Sequence, residues 1–331
     1  MNKKFQVVGI GNAMVDVLWE CPDAFLSENG IEKGIMQLTD LARGAELYDR
    51  IGPAKEISGG SAANTIAGIA HLGGQTAYVG KVKDDQLGAI FSHDLRAQGA
   101  VYETPLAAKT HEAETGRCIV LVTPDGERSM NTYLGVTEFL EPSDIDAAQM
   151  AQAEWIYLEG YRFDGPDSVE AFDKAIAACK GAGGRVSLTL SDPFCVDRHR
   201  DAFRALIKDH VDLLFCNRAE MLSMYQTEDF DAALAQAVQE VEIVACTDSE
   251  NGAHILKGAD RWHAPAMPVE IVDATGAGDL FAGAFLWGLT NGYDLETCGQ
   301  MGCVVASEII SHIGARPEAD LKVLFRKEGL I

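Results

Sequence analysis

Short apolar runs recur along the chain and alternate with longer segments whose apolar residues fall at helical spacing. The runs are Phe5–Ile10, Thr76–Gly80, Trp155–Glu159, Arg185–Leu190, Asp212–Cys216, Glu242–Cys246 and Ala253–Leu256. Their alternation with helical segments predicts a parallel, helix-covered sheet. The predicted helices are Ala62–Leu72, which meets a Gly73-Gly74 stop, then Ser168–Gly181, His199–Lys208 and Phe230–Val241. Two long helices, about Gly278–Asn291 and Leu295–Ile313, close the chain. Two regions break the alternation. Residues 15–50 carry Val15–Glu20 and Gly34–Leu38 around a mixed polar and apolar stretch. Residues 116–134 read as two strands about a Pro124-Asp125-Gly126 turn, a hairpin signal. Strands that do not alternate with helices predict a small second sheet, placed to cover a ligand cleft.

The chain has 331 residues, enough for one large α/β domain, and it contains no repeat, low-complexity tract or linker that would divide it. Lys and Arg number 27 against 50 Asp and Glu, a formal charge of −23, which repels nucleic acid and anionic lipid and sets both aside as partners. No apolar stretch is long enough to span a bilayer, so no membrane partner is expected. The opening MNKKFQVVGIGN is read as the first buried strand rather than a leader, because its apolar stretch is short and runs into a Gly-Asn turn. Eight cysteines, at 21, 118, 179, 195, 216, 246, 298 and 303, show no zinc spacing and several lie inside apolar runs. They are read as buried thiols, which points to a cytoplasmic protein.

Four polar clusters carry candidate chemistry. The first is Asp273-Ala274-Thr275-Gly276-Ala277-Gly278-Asp279, directly before a segment apolar at Phe281, Ala284, Phe285 and Leu289. A Gly-rich loop opening a buried helix presents free N–H groups and the positive end of the helix dipole to an anion. A carboxylate there, Asp279, repels an anion, yet suits a base that takes a proton from a hydroxyl attacking a bound phosphate. An acidic cap on a Gly-rich turn is the plainer alternative. The second is Ser58-Gly59-Gly60-Ser61-Ala62-Ala63-Asn64, where Ser61 and Asn64 share one face of a first helical turn and could bind a polyol, or simply cap and pack the helix. The third is Gly9-Ile10-Gly11-Asn12-Ala13-Met14-Val15-Asp16. It fails as a dinucleotide fingerprint, because Met14 replaces the third Gly and a strand follows. Asn12 and Asp16 nevertheless end the first strand, where open α/β sheets bind ligands. The fourth is Asn217-Arg218-Ala219-Glu220 after a strand, spaced either to orient magnesium-bound water or to cap a helix. No GxxxxGK[ST] is present, which excludes a P-loop.

Taken in order over about residues 5–317, these segments resemble the PfkB, or ribokinase-like, family of carbohydrate and nucleoside kinases. Residues 273–279 are similar to its C-terminal signature and 59–65 to its N-terminal Gly-Gly signature. Within the family, residues 11–16, 126–134, 188–194 and 213–220 are most similar to adenosine kinases. The resemblance implies one α/β domain, a three-layer sandwich about a mostly parallel sheet, with a small β-sheet lid formed by about 15–50 and 109–134. It implies Asp279 as catalytic base, the backbone of Gly276, Ala277 and Gly278 as anion hole, and Arg128 approaching the transferred phosphate from the lid. It places Asn12, Asp16, Gly59, Gly60, Ser61 and Asn64 on the acceptor hydroxyls, with Met130 and Thr132 facing the acceptor. Asn217 and Glu220 fall near magnesium and its water, and Thr247, Ser249 and Gly252 in the loop beside the ATP phosphates. Residues 302–314 form the wall around the adenine of ATP. Thr275 and Gly314 also fall on the nucleotide side, and a monovalent cation such as K⁺ is allowed near Asp273. Two positions depart from the pattern. Ser249 stands where many relatives have Gly. Arg162 stands where adenosine kinases place an aromatic over the purine, leaving Tyr161 or Phe163 to substitute.

The expected reaction is ATP- and Mg²⁺-dependent phosphorylation of a primary hydroxyl, foremost the 5′-hydroxyl of adenosine, by a monomer or homodimer. A sugar kinase acting on ribose, fructose or a 2-keto-3-deoxy acid is the alternative, and Arg162 is then the candidate partner of an acid substrate. A catalytically silent paralogue that binds a nucleoside or sugar is the reading from another class. A nicotinamide-dependent oxidoreductase is disfavoured by the broken GxGxxG.

Overall fold

The computed structural model describes residues 3–331. The chain runs β1 (Phe5–Ile10), β2 (Met14–Glu20), α1 (Asp23–Glu28), β3 (Met36–Leu38), α2 (Leu41–Arg50), β4 (Lys55–Gly59), α3 (Ser61–His71), β5 (Thr76–Val79), α4 (Gln86–Ala97), β6 (Val101–Tyr102), β7 (Gly116–Val122) and β8 (Arg128–Tyr133). It continues through α5 (Ala147–Ala151), β9 (Ala153–Glu159), α6 (Ser168–Gly181), β10 (Arg185–Thr189), α7 (Pro193–His210), β11 (Leu213–Asn217), α8 (Arg218–Tyr225), α9 (Phe230–Glu240) and β12 (Ile243–Thr247). It closes with β13 (Ala253–Lys257), β14 (Asp260–Ala264), α10 (Ala277–Thr290), α11 (Leu295–Ile309) and α12 (Leu321–Lys327).

Nine strands form the large sheet in the order β14-β13-β12-β11-β10-β9-β1-β5-β6. The strands from β12 to β6 pair in parallel, and β13 and β14 add an antiparallel edge. Successive strand residues point to opposite faces, so along β1 Val7 enters one core and Val8 the other. The first core joins Val7 to Ile66 of α3, Phe281 and Phe285 of α10 and Phe325 of α12. The second joins Val8 to Phe172 of α6, Phe203 of α7 and Leu234 of α9. Two helical layers cover the two faces of the sheet, and the fold is the ribokinase-like α/β sandwich expected from the sequence.

A five-stranded sheet, ordered β3-β8-β7-β2-β4, stands beside the large one. Its own small core holds Met14, Leu18, Cys118, Val120 and Val122, with Met130, Leu134 and Ile313 packed against them. β4 lies outside the two segments, about 15–50 and 109–134, from which the sequence predicts this sheet. Two helix boundaries also differ from expectation. α7 begins at Pro193 behind an Asp192 cap, and His199, its predicted start, is a kink (φ −126°, ψ 20°). α11 ends at Ile309, and residues 310–316 turn back towards the sheets instead of extending the helix to Ile313.

The order of strands reverses at β1, which pairs β9 on one side and β5 on the other. Clefts at such reversals collect the carboxyl ends of strands. Here β1, β9, β10, β11 and β12 end in or just before Asn12, Glu159, Thr189, Asn217 and Thr247, and all five residues line one cavity.

Candidate active site

That cavity has a volume of about 810 Å³ and lies between the strand ends, the small sheet and the start of α10. At its centre, the loop before α10 is held by Asp273, which is fully buried and lies behind the cavity wall. One carboxylate oxygen accepts from the Thr275 N–H (2.9 Å) and hydroxyl (2.6 Å), and the other from the Gly314 N–H (2.9 Å). Asp273 and Gly314 thus meet Thr275 as the sequence suggested, but this carboxylate is satisfied by donors of the chain itself.

Gly276 precedes the first turn of α10 with φ +77°, and a Cβ there would stand 2.4 Å from that of Ala315. Both the left-handed backbone and the contact require glycine. Gly278, in the first turn, is exposed, and a Cβ there would meet nothing within 4 Å. Among the described residues, the N–H groups of Gly278 and Asp279 have no protein acceptor. The start of this fourteen-residue helix is therefore an open cradle with unfilled donors facing the cavity.

Asp279 lies at the edge of that cradle. Its Oδ1 accepts from the Ser61 hydroxyl at 2.6 Å and its Oδ2 from the Asn64 amide at 2.8 Å. Burial pushes its pKa up, opposed by these two hydrogen bonds and by the charges of Arg316 and Arg128. Arg128, first residue of β8, lines the cavity from the small sheet, and no ion pair holds it among the described residues.

The acceptor side is built on Asn12, Asp16 and the Gly60–Asn64 turn. Gly60 has φ +96°, and a Cβ would lie 2.0 Å from the Asn12 carbonyl oxygen. Gly59 stays behind the wall, its missing side chain making room for the Asp16 carboxylate. Asp16 is buried, lines the cavity and accepts no hydrogen bond from the described residues, and burial raises its pKa to about 7 against the pull of Arg316. Asn12 is clamped from behind. Its N–H donates to Glu159, and its Oδ1 accepts from Arg162 at 2.9 Å, which turns its amide nitrogen away from Arg162. Glu159, pushed up to about 7 by burial, also accepts from the Ala62 N–H at 2.8 Å and so ties the two acceptor loops together. Opposite these polar groups the wall is apolar: Met14, Met36, Leu38, Cys118, Met130 and Leu134, with Thr132 donating its hydroxyl to the Cys118 sulfur at 3.2 Å.

Arg162 does not enter this space. It is 1% exposed, and besides Asn12 it donates to Thr137 O at 2.5 Å and Ser168 Oγ at 2.9 Å. It is thus removed as the candidate partner of an acid substrate. Of the two aromatics that could stand in for it, Tyr161 lines the cavity and Phe163 packs against Phe172 and Phe203 in the core.

On the other side of Asp279, Asn217 and Glu220 form a reciprocal capping box at the start of α8, so the plainer reading of that motif is realised. Glu220 is also buried and lines the cavity, with its pKa raised to about 8 by desolvation and by the nearby Asp192 and Asp279. Thr247, Ser249 and Gly252 line the neighbouring wall. Ser249 has φ +48°, a left-handed backbone that explains why glycine suits this place. The far end is formed by Ala266–Val269, by one face of α11 (Cys303, Ala306 and Ser307) and by Ile310 just after it.

Three participants were missed in the sequence. Glu159 carries a readable signal, an acid ending the apolar strand β9, whereas Asp16, expected at the end of the first strand, lies inside β2. The apolar acceptor wall was seen at Met130 and not at Met36, Leu38 or Cys118. Arg316, which bonds Asn64 and Ser58, left no sequence signal beyond being a lone cation after Gly314-Ala315.

The sequence profile described as "pfkB family carbohydrate kinase" matches residues 35–321. The chain belongs to the pfkB family. As a pfkB-family protein it is an ATP-dependent kinase, and its similarities span both acceptor classes. A crystal structure of a probable sugar kinase protein from Rhizobium etli CFN 42 is 48% identical, with a TM-score of 0.95 over 99% of this chain and 100% of that one. The crystal structure of adenosine kinase from Sinorhizobium meliloti is 46% identical, with a TM-score of 0.93 over 98% and 99%. The adenosine kinase of Saccharomyces cerevisiae is 26% identical over 333 residues, covering 93% of this chain and 95% of its own. Among the described residues no helix is long and apolar enough to cross a membrane, and all eight cysteines are buried, free thiols.

Proposed function

We propose that this pfkB-family kinase transfers the γ-phosphoryl group of ATP to the 5′-hydroxyl of adenosine. The observation that carries the reading is the position of Asp279. Its carboxylate stands between an acceptor pocket and the open donors at the start of α10. The acceptor pocket itself favours a nucleoside. Asp16, a buried carboxylate without a hydrogen-bond donor, suits the paired hydroxyls of a ribose. The thioether, thiol and aliphatic wall with Tyr161 beside it suits a flat base, whereas a small sugar would leave that wall wet.

In this reading the ribose lies between Asp16, the Asn12 amide and the Gly60–Asn64 turn. Its 5′-hydroxyl reaches Asp279, which takes the proton as the oxygen attacks the γ-phosphorus and ADP leaves. The Gly278 and Asp279 N–H groups, with Arg128, meet the charge on the transferring group, the kind of fixed-donor stabilisation that dominates phosphoryl transfer. The ATP base lies against Ala266–Val269 and the α11 face. The small sheet covers the acceptor, keeps water out and protects ATP from hydrolysis.

Magnesium fits this site through water. Among the described residues no group of three His, Cys, Asp or Glu side chains is spaced to hold a metal, while the buried Glu220 carboxyl lines the cavity on the phosphate side. When bound with ATP the ion would neutralise phosphate charge, with Glu220 and Asn217 orienting its water.

The sugar-kinase reading is favoured by the 48% identity to the probable sugar kinase. A panel of nucleosides and sugars with Mg-ATP, scored by which compound becomes a monophosphate, decides between them. Adenosine is expected to show the highest kcat/KM. A sugar converted in preference to every nucleoside would refute the nucleoside reading while leaving the kinase intact.

A further inference from the structure

We propose that Arg316 is a positioning residue of the active site, whose guanidinium fixes the Asn64 side-chain amide so that its nitrogen, and not its oxygen, faces Asp279. The proposal rests on Asp279 as the base and holds for either class of acceptor.

Arg316 sits in the turn after α11 and behind the cavity wall. Its Nη1 donates to Asn64 Oδ1 and to Ala315 O (2.8 Å), and its Nη2 to the Ser58 carbonyl and hydroxyl oxygens, the latter at 2.7 Å. Ser58 is braced in turn: its N–H and hydroxyl donate to Asp94 of α4 at 2.9 and 2.5 Å. A line of polar groups therefore runs from Asp94 through Ser58, Arg316 and Asn64 to Asp279.

The chemistry of the two neighbours of Asn64 decides its orientation. A guanidinium can only donate, and an ionised carboxylate can only accept. With Oδ1 on Arg316 and Nδ2 on Asp279, both contacts are satisfied. Rotated by half a turn, the amide would set NH₂ against the guanidinium and its carbonyl against the carboxylate, two repulsive contacts. Arg316 thereby selects the state in which Asn64 donates to Asp279 and holds the carboxylate plane with Ser61. Lysine would keep the charge but lacks the planar fork that reaches Asn64 and Ser58 together.

The charge matters as well as the shape. No carboxylate lies within ion-pair distance of Arg316 among the described residues, and Asp94, Asp16 and Asp279 surround it further out. The charged and titratable groups facing Asp279 are Arg316, Arg128, Asp16, Tyr157, Glu159, Tyr161 and Glu220. Five of the seven are acids, the two tyrosines among them, so removing Arg316 leaves Arg128 as the sole cation of this set opposing protonation of Asp279.

The test is the pH dependence of kcat and KM for wild type, Arg316→Met, Arg316→Lys and Asp279→Asn, with thermal unfolding alongside. Arg316→Met is expected to lower kcat about tenfold to hundredfold, the scale of a misplaced reacting group, to leave KM for ATP within about threefold on the same reasoning, and to move the acid limb of kcat to higher pH. Arg316→Lys is expected to hold the acid limb while still losing part of kcat. If Arg316→Met does not fold, the lysine variant decides, and a wild-type kcat in it would overturn the proposal. An unchanged kcat in Arg316→Met would overturn it too. So would equal losses in both variants with neither acid limb moved, since that describes a merely structural arginine. Asp279→Asn separates the two levels: normal turnover there refutes Asp279 as base, whereas an inactive Asp279→Asn beside a normal Arg316→Met refutes only the role of Arg316.

Discussion

Gly276 and Gly278 stand two residues apart at the start of α10, and the structure assigns them opposite reasons for being glycine. Replacing Gly276 by Ala forces a side chain onto a φ of +77°, at about 1–2 kcal/mol. It also drives a Cβ to 2.4 Å from that of Ala315, an overpacking of about 1–3 kcal/mol. An unfolding entropy of about 2.1 cal/mol/K per residue over 331 residues makes the transition steep. A loss of about 2–5 kcal/mol then lowers Tm by only about 3–7 °C. Gly278→Ala meets no neighbour and no left-handed backbone, and the better helix former is worth up to about 1 kcal/mol, so Tm is expected to stay or rise by about a degree. Its methyl group, however, fills the cradle over the free N–H groups. Loss of access to such donors costs about 10²–10³-fold in kcat. Calorimetry of both variants, with a coupled assay of ADP release, reads the two effects separately. The Gly278→Ala enzyme should melt like wild type and turn over about a hundredfold more slowly. A Gly278→Ala enzyme with wild-type kcat, or one destabilised as much as Gly276→Ala, would refute the reasoning that the start of α10 is an anion site.

Two further outcomes follow from buried charge. Asp16, Glu159 and Glu220 hold their protons to about 7, 7 and 8 in the native chain, against ordinary values of 3.8, 4.5 and 4.5. The native state therefore binds more protons than the unfolded one between those limits. Their stabilisation is complete below about pH 4 and is lost as the pH rises through 7–8. The Tm of the ligand-free protein should fall between pH 6 and pH 8.5, and Glu220→Gln should flatten the upper part of that fall. A Tm rising over this range would contradict the burial of these groups. Arg162→Met leaves Asn12 Oδ1, the Thr137 carbonyl and Ser168 Oγ without their donor. It is expected to destabilise the protein by about 3 kcal/mol or more, read by denaturant unfolding. A loss below about 1 kcal/mol would mean these acceptors find other partners.

How much of this was legible in the sequence depended on burial. The central strands declared themselves because both faces are covered, as at Val7 and Val8, so consecutive apolar residues mark most of the runs. β4 did not, since Lys55-Glu56-Ile57-Ser58-Gly59 is a half-exposed edge strand whose pairing with β2 is a tertiary fact. α11 looked longer than it is because Ile310 and Ile313 are apolar for other reasons: one lines the cavity and the other packs under the small sheet. In the site, glycine loops and polar residues at strand ends were readable from local chain chemistry. Arg162 was not, because its place in a buried clamp behind Asn12 depends on contacts 150 residues apart. Arg316 was hidden for the same reason, its partner Asn64 lying 252 residues away.

The central claim is that the carboxylate of Asp279 takes the proton of the attacking hydroxyl. Asparagine keeps the size of the side chain and one acceptor oxygen for Ser61 or Asn64, but it cannot accept that proton. The decisive measurement is single-turnover phosphorylation of adenosine by Asp279→Asn, with binding of ATP and adenosine measured by calorimetry on the same sample. The account predicts a folded protein that binds both molecules and transfers phosphate at least about 10²–10⁴-fold more slowly. Near-normal transfer by that variant would contradict it.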